Sequence, residues 1–171
     1  TGNIVVSDDN QQVYFADAGN TVHSLNLETK TIEWKRKLKG SNMSGVFINE
    51  FGDIGAINAE GNCVMLQHKT GKTIDSFTLP IFHSTVPTVQ GSKLYGATLG
   101  RDVYCFDTKT HTMVWNYETK GRMYSAPTIY KGVVFVGDNN GYLHALNQQT
   151  GKVIGLTVLS ERIVNPVLLT N

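Results

Sequence analysis

The residues that could carry out chemistry are the five histidines, the two cysteines and the acidic residues of the turns. The histidines show no metal-ligand spacing. His23 and His144 hold equivalent positions in a repeat described below, so we interpret them as packing or hydrogen-bonding residues. His68 and His111 fall in outer turns, and no Ser-His-Asp arrangement can be argued. The sequence therefore predicts no catalytic, cofactor-binding or metal-ligating residue.

The segment Asp138-Asn139-Asn140-Gly141 has two interpretations. Clustered oxygens are what calcium requires, but the further ligands of a 12-residue calcium loop do not follow. Asn and Gly tolerate the positive φ of tight hairpin turns. We therefore predict a hairpin turn here, with calcium binding as the alternative.

Cys63 and Cys105 fall in the third predicted strand of neighbouring repeats. Stacked sheets lie about 10 Å apart, beyond the roughly 7 Å limit for the Cα atoms of a disulfide. We predict two buried free thiols, with a redox pair as the alternative.

Composition excludes several classes of protein. The 171 residues carry a net charge of +1, and 17% of them are charged, against roughly 25% in an average domain. A chain this apolar is not disordered, and one this neutral lacks the basic surface of a nucleic-acid-binding protein. No apolar run approaches a transmembrane length, and no secretory leader is recognisable within these residues.

A repeat of about 40 residues runs through the whole chain. Its apolar anchor residues, spaced 41, 40 and 40 apart, are Leu25, Leu66, Phe106 and Leu146. Four residues after each anchor stands a threonine, namely Thr29, Thr70, Thr110 and Thr150. Each repeat shows four strand-like runs separated by turns, and no window has helical periodicity. Four-stranded units of this period predict the blades of a β-propeller.

The predicted fold is all-β, with four blades followed by the first strand of a fifth. The blades are predicted at about 3–38, 43–79, 83–119 and 123–159, and the further strand at 162–171. Apolar residues on both faces of the inner strands fit blades stacked face to face. We expect a partial ring, which is either a fragment of a seven- or eight-bladed propeller or a unit that closes by oligomerising.

The segment beginning at Gly132 reads GVVFVGDNNGYLHALNQQTGK. It resembles the repeat of quinoprotein-type β-propellers, the PQQ-like repeat, through its Gly, Leu-x-Ala-Leu and Thr-Gly-Lys elements. The family's later Trp is present as Trp34 and Trp115, whereas Asp75 and Gly155 replace it in repeats two and four. The resemblance implies that Trp34 and Trp115 dock each blade on its neighbour.

Odd and even repeats differ in a correlated way. Repeats one and three combine Trp with a Thr-x-Thr turn, and repeats two and four combine the absence of Trp with Thr-Gly-Lys. Their turn glycines also differ, standing six residues before the anchor in odd repeats (Gly19, Gly100) and five in even ones (Gly61, Gly141). An ancestral two-blade unit and coincidence both explain this pattern.

Residues that flank the innermost strands line the channel and the top face of a propeller. Here they are Ser44, Asn49, Glu50, His83, Ser84, Arg122, Tyr124, Ser125, Arg162 and Asn165. Cations and polar groups at these positions suit recognition of a partner by loops. We predict a partner-binding face made by His83, Arg122, Tyr124 and Arg162, with ordinary solvated loops as the alternative.

Within the family, the chain looks most like the BamB-type components of outer-membrane β-barrel protein assembly. That resemblance implies a periplasmic, non-catalytic scaffold that binds a protein partner and needs no cofactor. The alternatives are a fragment of a PQQ-dependent dehydrogenase and an extracytoplasmic or lumenal sensor domain of a kinase. We predict a protein partner, no nucleic acid, no membrane span and no enzymatic activity.

Overall fold

The computed structural model describes residues 3–40, 43–80 and 85–168, which form four sheets. Blade 1 consists of β1 (Ile4–Val6), β2 (Gln12–Ala16), β3 (Thr21–Asn26) and β4 (Ile32–Lys37). Blade 2 consists of β5 (Met43–Ile48), β6 (Ile54–Asn58), β7 (Asn62–Leu66) and β8 (Thr73–Thr78). Blade 3 consists of β9 (Thr88–Gln90), β10 (Lys93–Ala97), β11 (Asp102–Asp107) and β12 (Thr112–Glu118). Blade 4 consists of β13 (Thr128–Tyr130), β14 (Val133–Gly137), β15 (Tyr142–Asn147) and β16 (Val153–Val158).

Each blade is an antiparallel meander whose strands lie in chain order. Strand propensity accounts for this, because the inner strands are rich in β-branched and aromatic residues and Asn, Asp and Gly occur in the turns. No helix occurs among the described residues. The predicted all-β propeller architecture with four four-stranded blades is confirmed.

The segment after blade 4 forms no strand over residues 162–168, although the sequence predicts a strand at 162–171. A first strand pairs with the second strand of its own blade, and no strand follows this segment within the described residues. The segment nevertheless docks as a linker does: Thr128 Oγ1 donates to Val167 O at 2.8 Å, as Thr88 Oγ1 donates to Pro127 O at 2.5 Å. Residues 169–171 lie outside the described residues.

A β-bulge occurs at the same point of every blade, between the third and fourth strands. It lies just before the anchor residue, between Ser24 and Leu25, Met65 and Leu66, Cys105 and Phe106, and Ala145 and Leu146. A bulge bends the strand and increases its twist. In blades 1 to 3, the residue of the fourth strand directly after the unpaired one contacts the next blade; these residues are Trp34, Asp75 and Trp115.

The turn between the second and third strands needs one left-handed residue, five positions before each anchor. That residue is Asn20, Gly61, Arg101 or Gly141, with φ of 59°, 85°, 78° and 81°. In odd blades the predicted turn glycines, Gly19 and Gly100, therefore stand one position too early. Asn is among the residues that tolerate this conformation, whereas Arg101 holds it as a strained exception.

The core lies between blades rather than within them. The anchors Leu66, Phe106 and Leu146 are at most 2% exposed because the preceding blade covers them. Leu25, in blade 1, is only half-buried. Three apolar clusters fill the three interblade spaces.

Candidate protein-binding face

The two tryptophans join odd blades to the even blades that follow them. Trp34 Nε1 donates to His68 O at 2.7 Å, and Trp115 Nε1 donates to Gln148 O at 2.9 Å. Each indole lies flat on the glycine of a Thr-Gly-Lys turn. A Cβ on Gly71 would stand 2.5 Å from the ring of Trp34, and the same atom on Gly151 would stand 2.7 Å from Trp115.

The junction between blades 2 and 3 uses a different pair. Asp75 stands at the tryptophan position and His111 at the glycine position, and Asp75 Oδ2 lies 2.9 Å from His111 Nε2. Part of the correlation between odd and even repeats is therefore visible as side-chain contacts at these three junctions. Trp pairs with Gly and Asp pairs with His across an interface, so a residue in one blade constrains a residue in the next.

One end of the molecule, which we call the linker face, is built from the interblade linkers and the turns between second and third strands. Backbone hydrogen bonds of 2.7–2.9 Å fix each linker to a turn of its own blade; the donors are the N–H groups of Leu38, Leu79, Thr119 and Leu159. The turns themselves span residues 17–20, 58–61, 98–101 and 138–141. The repeated geometry gives the exposed side chains of this end fixed positions.

A polar residue opens each of these turns and caps it. The side-chain oxygen of Asn58 accepts from the N–H groups of Glu60 and Asn62, at 3.1 and 2.9 Å. Thr98 makes the same pair of bonds, as does Asp138, and Asp17 accepts from Thr21 N. Because the backbone uses its carboxylate in this way, Asp138 begins the hairpin turn that the sequence predicted.

Asp138 also ties blade 4 to the linker from blade 3. Its Oδ2 accepts from Gly121 N at 2.9 Å and lies 3.1 Å from His144 Nε2. His144 Nδ1 lies 3.2 Å from the hydroxyl of Tyr117 in blade 3. Asp138 and His144 are fully buried. Burial, with the negative charge of Asp138, raises the pKa of Tyr117.

The equivalent pair in blade 1 is Asp17 and His23, with Asp17 Oδ2 at 2.8 Å from His23 Nε2. The hydrogen bond to His23 is the main cause that lowers the pKa of Asp17. The Asp17 side chain is 42% exposed, against 0% for Asp138. The two histidines therefore have the hydrogen-bonding role expected of them.

Three of the four predicted partner-binding residues lie within the described residues, and all three are exposed. The Arg122 side chain is exposed, while its backbone pairs with Asn139 through two contacts of 2.8 and 2.9 Å. Tyr124 is 49% exposed, and Arg162 is exposed on the segment after blade 4. These three lie at the linker face. His83 lies outside the described residues, as does Ser84.

Two residues of the wider predicted set lie at the opposite end. Asn49 and Glu50 belong to the turn between β5 and β6, where Asn49 Oδ1 accepts from Phe51 N and Asp53 N at 2.9 Å. Residues before and after an innermost strand lie at opposite ends of the molecule, and the sequence prediction did not distinguish these two ends. Ser125 is at the linker face but only 6% exposed, so it is unavailable to a partner.

Both cysteines are buried and free, as predicted. Cys63 belongs to the cluster between blades 2 and 3 and Cys105 to the cluster between blades 3 and 4. Burial raises the pKa of each thiol, to about 11 for Cys105. A thiol that stays protonated is a poor nucleophile.

Across the described ranges, no three His, Cys, Asp or Glu side chains come together as a metal site would require. The same ranges contain no helix that could cross a membrane.

Sequence reasoning missed the capping residues of the turns. Their signal was present, because Asp17, Asn58, Thr98 and Asp138 each stand eight residues before an anchor. They differ in residue type, so no single-letter match reveals them. What they share is an oxygen that can accept from a backbone N–H two and four residues later.

Comparison with known proteins gives one consistent result. Residues 51–154 match the family model described as outer membrane protein assembly factor BamB. The protein of that name from Shewanella oneidensis is 30% identical over 101 residues, which are 58% of this chain and 25% of that protein. The one from Taylorella asinigenitalis is 23% identical over 161 residues, which are 86% of this chain and 42% of that protein.

The crystal structure of BamB from Moraxella catarrhalis has a similar fold. It superposes with a TM-score of 0.74 at 20% identity, covering 91% of this chain and 47% of that one. The chain thus spans about half of the solved relative and less than half of these curated relatives.

Proposed function

Since the chain belongs to the outer membrane protein assembly factor BamB family of PQQ-like β-propellers, we propose that it is a non-catalytic scaffold in outer-membrane protein assembly. In this proposal it works in the periplasm and binds a protein partner through loops of the linker face. Family membership supports a role in outer-membrane protein assembly. The exposed side chains of Arg122, Tyr124 and Arg162 support the linker face as the binding surface.

We choose the linker face because its polar groups fall into two sets, those that hold the turns and linkers in place and those that are exposed to solvent. The capping residues and the backbone of the linkers use their polar groups on each other. The side chains of Arg122 and Tyr124 project from this fixed frame into solvent. Exposed aromatic and arginine side chains on a rigid support are the residues most enriched at binding hot spots.

Charge reversal tests the surface. Arg122→Glu and Arg162→Glu in the full-length protein should weaken binding to purified assembly-machinery partners, measured by surface plasmon resonance. The matched control is Lys131→Glu, which reverses an exposed charge on the turn between β13 and β14 at the opposite end. Equal weakening by the control, or none by the two arginine variants, would overturn the choice of face.

The enzymatic alternative has its own test. A quinoprotein would bind pyrroloquinoline quinone with Ca²⁺, and the absorbance of the quinone would change in a saturable way. We expect no saturable change on addition of both to the full-length protein. Saturable binding would contradict the scaffold proposal and favour a PQQ-dependent dehydrogenase.

A further inference from the structure

The densest run of positive charge in the sequence lies at the end of blade 1. Four of the 15 basic residues fall between positions 35 and 39, namely Lys35, Arg36, Lys37 and Lys39. In the described part of the chain, no carboxylate forms an ion pair with any of them. Glu33, on the same strand, instead accepts hydrogen bonds from Gln12 Nε2 and Asn26 Nδ2, at 2.8 and 2.9 Å. This concentration of positive charge therefore lacks a paired counter-charge within the described residues.

Arg36 stands where the next two blades have an aromatic residue. Its equivalents in the strand register are Phe77 and Tyr117. Phe77 is 8% exposed in the core between blades 2 and 3, and Tyr117 packs against the core between blades 3 and 4. Arg36 Nε instead donates to Gly71 O of blade 2 at 2.6 Å, and its Nη groups have no hydrogen-bond partner among the described residues. The guanidinium group is therefore held in place across the junction and retains donors for a ligand.

A groove of about 580 Å³ lies beside this guanidinium group, between blade 1 and blade 2. Arg36, Lys37 and Lys39 line it from β4 and the linker that follows, and Thr73 and Ser76 line it from β8. No Asp, Glu or His is among the described residues that line it. Its volume lies within the range of about 300–1,000 Å³ that is typical of small-molecule sites. The groove is thus large enough for a ligand and has positive charge without negative charge.

The wall that blade 2 contributes to this groove is neutral, whereas the equivalent wall of blade 3 is acidic. The cross-strand pair Asn62 and Thr78 in blade 2 corresponds to the pair Asp102 and Glu118 in blade 3. In blade 4 the corresponding pair is Tyr142 and Val158. Among the three described junctions, cations on one wall and uncharged polar groups on the other therefore occur together at the first junction only.

A phosphate ester matches this lining better than a carboxylate does. Near pH 7 a phosphate monoester has a charge of about −1.5 to −2 and three strong acceptor oxygens, whereas a carboxylate has a single charge and two oxygens. Guanidinium and ammonium groups form the strong, charge-assisted hydrogen bonds that phosphate oxygens accept. The hydroxyl groups of Thr73 and Ser76 add neutral donors on the opposite wall. Three cations and two hydroxyl groups thus favour the ligand with more charge and more acceptors.

We propose that the groove between blades 1 and 2 binds a phosphate ester, either a soluble one or the headgroup of a lipid. Arg36 and Lys39 make the main contacts with the phosphate, because the ammonium group of Lys37 already donates to Gly19 O. This binding activity is additional to the scaffold function and does not depend on it.

The test measures binding of glycerol phosphate to the full-length protein by isothermal titration calorimetry, with glycerol as the uncharged control ligand. We expect saturable binding of glycerol phosphate and none of glycerol. Arg36→Phe, which gives blade 1 the residue that blade 2 has at this position, should weaken binding about tenfold or more. Lys39→Gln changes an exposed residue, so the fold should tolerate it, and it should weaken binding as well.

The matched control is Lys120→Gln. Lys120 holds the position of Lys39 in the linker after blade 3, where Tyr117 replaces Arg36. This variant removes the same charge from a junction without the guanidinium group and should leave binding unchanged. Equal weakening by Lys39→Gln and Lys120→Gln would mean that the ligand responds to overall charge, and it would overturn the proposed site.

The pH dependence of binding distinguishes a phosphate from a carboxylate ligand. A phosphate monoester loses its second proton at a pKa of about 6, so its affinity should rise several-fold from pH 5 to pH 7. The titratable residues that line the groove are Arg36, Lys37, Lys39 and Cys63, and they keep their charge over this range because burial raises the pKa of the Cys63 thiol. If a hexaglutamate peptide binds more tightly than glycerol phosphate, and equally at both pH values, the groove binds an acidic protein segment and the proposal is wrong.

Vesicles separate the two sources of the phosphate. Flotation with phosphatidylcholine vesicles is compared with and without phosphatidic acid, for the wild type and Arg36→Phe. Binding of glycerol phosphate in solution supports a soluble ester, and binding only to phosphatidic acid vesicles, lost in Arg36→Phe, supports a lipid headgroup. Binding to neither probe overturns the proposal and leaves the scaffold function untouched.

Discussion

At the scale of single residues, side-chain contacts join each blade to the next. Trp34 and Trp115 each reach across an interface to a carbonyl oxygen and cover a turn glycine. Asp75 and His111 replace that contact at the middle junction. Two facing residues therefore make a specific contact at each interface, and the effect of replacing one on the free energy of unfolding should depend on the other.

This coupling predicts a result for Trp34 and Gly71. Trp34→Ala should lower the free energy of unfolding by about 3–5 kcal/mol, as for other buried aromatic truncations. Gly71→Ala should be costly because its Cβ would strike the indole, but after Trp34→Ala only the left-handed strain of about 1–2 kcal/mol should remain. Urea unfolding of both single variants and the double variant measures the difference.

The control for this double-mutant cycle combines Gly71→Ala with Trp115→Ala. These two residues lie in different interfaces, so their losses of unfolding free energy should add within about 0.5 kcal/mol. If Trp34→Ala leaves the melting curve unmoved, or if Gly71 and Trp34 prove additive, neither residue anchors the interface.

At the scale of elements, each blade is held by its hairpins. Lys93 and Asp107 are cross-strand partners where β10 and β11 meet the end opposite the linker face, and Lys93 Nζ lies 2.5 Å from Asp107 Oδ2. The hydrogen bond from Lys93 is the largest cause that lowers the pKa of Asp107 to about 2. This ion pair makes the stability of the hairpin depend on pH.

The sign of this dependence follows from the lowered pKa. Asp107 stabilises the folded state above its unfolded pKa of about 3.9, and this contribution is lost as the pH falls toward 2. Since solvent reaches the pair, we expect a contribution of about 1 kcal/mol. Urea unfolding at pH 7, 4 and 3 should show a smaller acid loss for Asp107→Asn than for the wild type. Parallel pH profiles for the two proteins would refute the assignment.

The strands and turns also show which features of the fold can be predicted from the sequence alone. The anchors, with the threonines after them, predicted every blade because strand and turn signals are local. The left-handed position fell on Arg101 rather than Gly100, since a turn can tolerate a strained residue that no composition rule favours. Asn49 and Glu50 were placed in one set with Arg122 because a sequence does not say at which end of a strand a turn lies in space.

At the scale of the whole molecule, the blades differ in how much of each is covered. Blades 2 and 3 have neighbours on both faces, whereas blade 1 exposes Ile4 to 68% and Val6 to 46%. In arrays of repeats, stability is approximately the sum of each unit and its interfaces. Blade 1 of this 171-residue chain should therefore open more readily than blade 3.

Native-state hydrogen exchange measures this gradient. Amides of β11 should exchange at least about tenfold more slowly than those of β3, since opening β11 breaks two interfaces and opening β3 breaks one. Equal protection of the two strands would mean that the blades unfold as one cooperative body and that interface number does not control local stability.

The linker face is the proposed binding site for a protein partner in outer-membrane assembly. Photo-crosslinking in cells with the full-length protein tests it most directly, with a benzophenone amino acid in place of Tyr124, which is 49% exposed at the linker face, or Tyr130, which is 46% exposed at the opposite end. We expect covalent adducts with an outer-membrane assembly component from position 124 and none from position 130. Adducts from position 130 alone, or equal adducts from both, would contradict it.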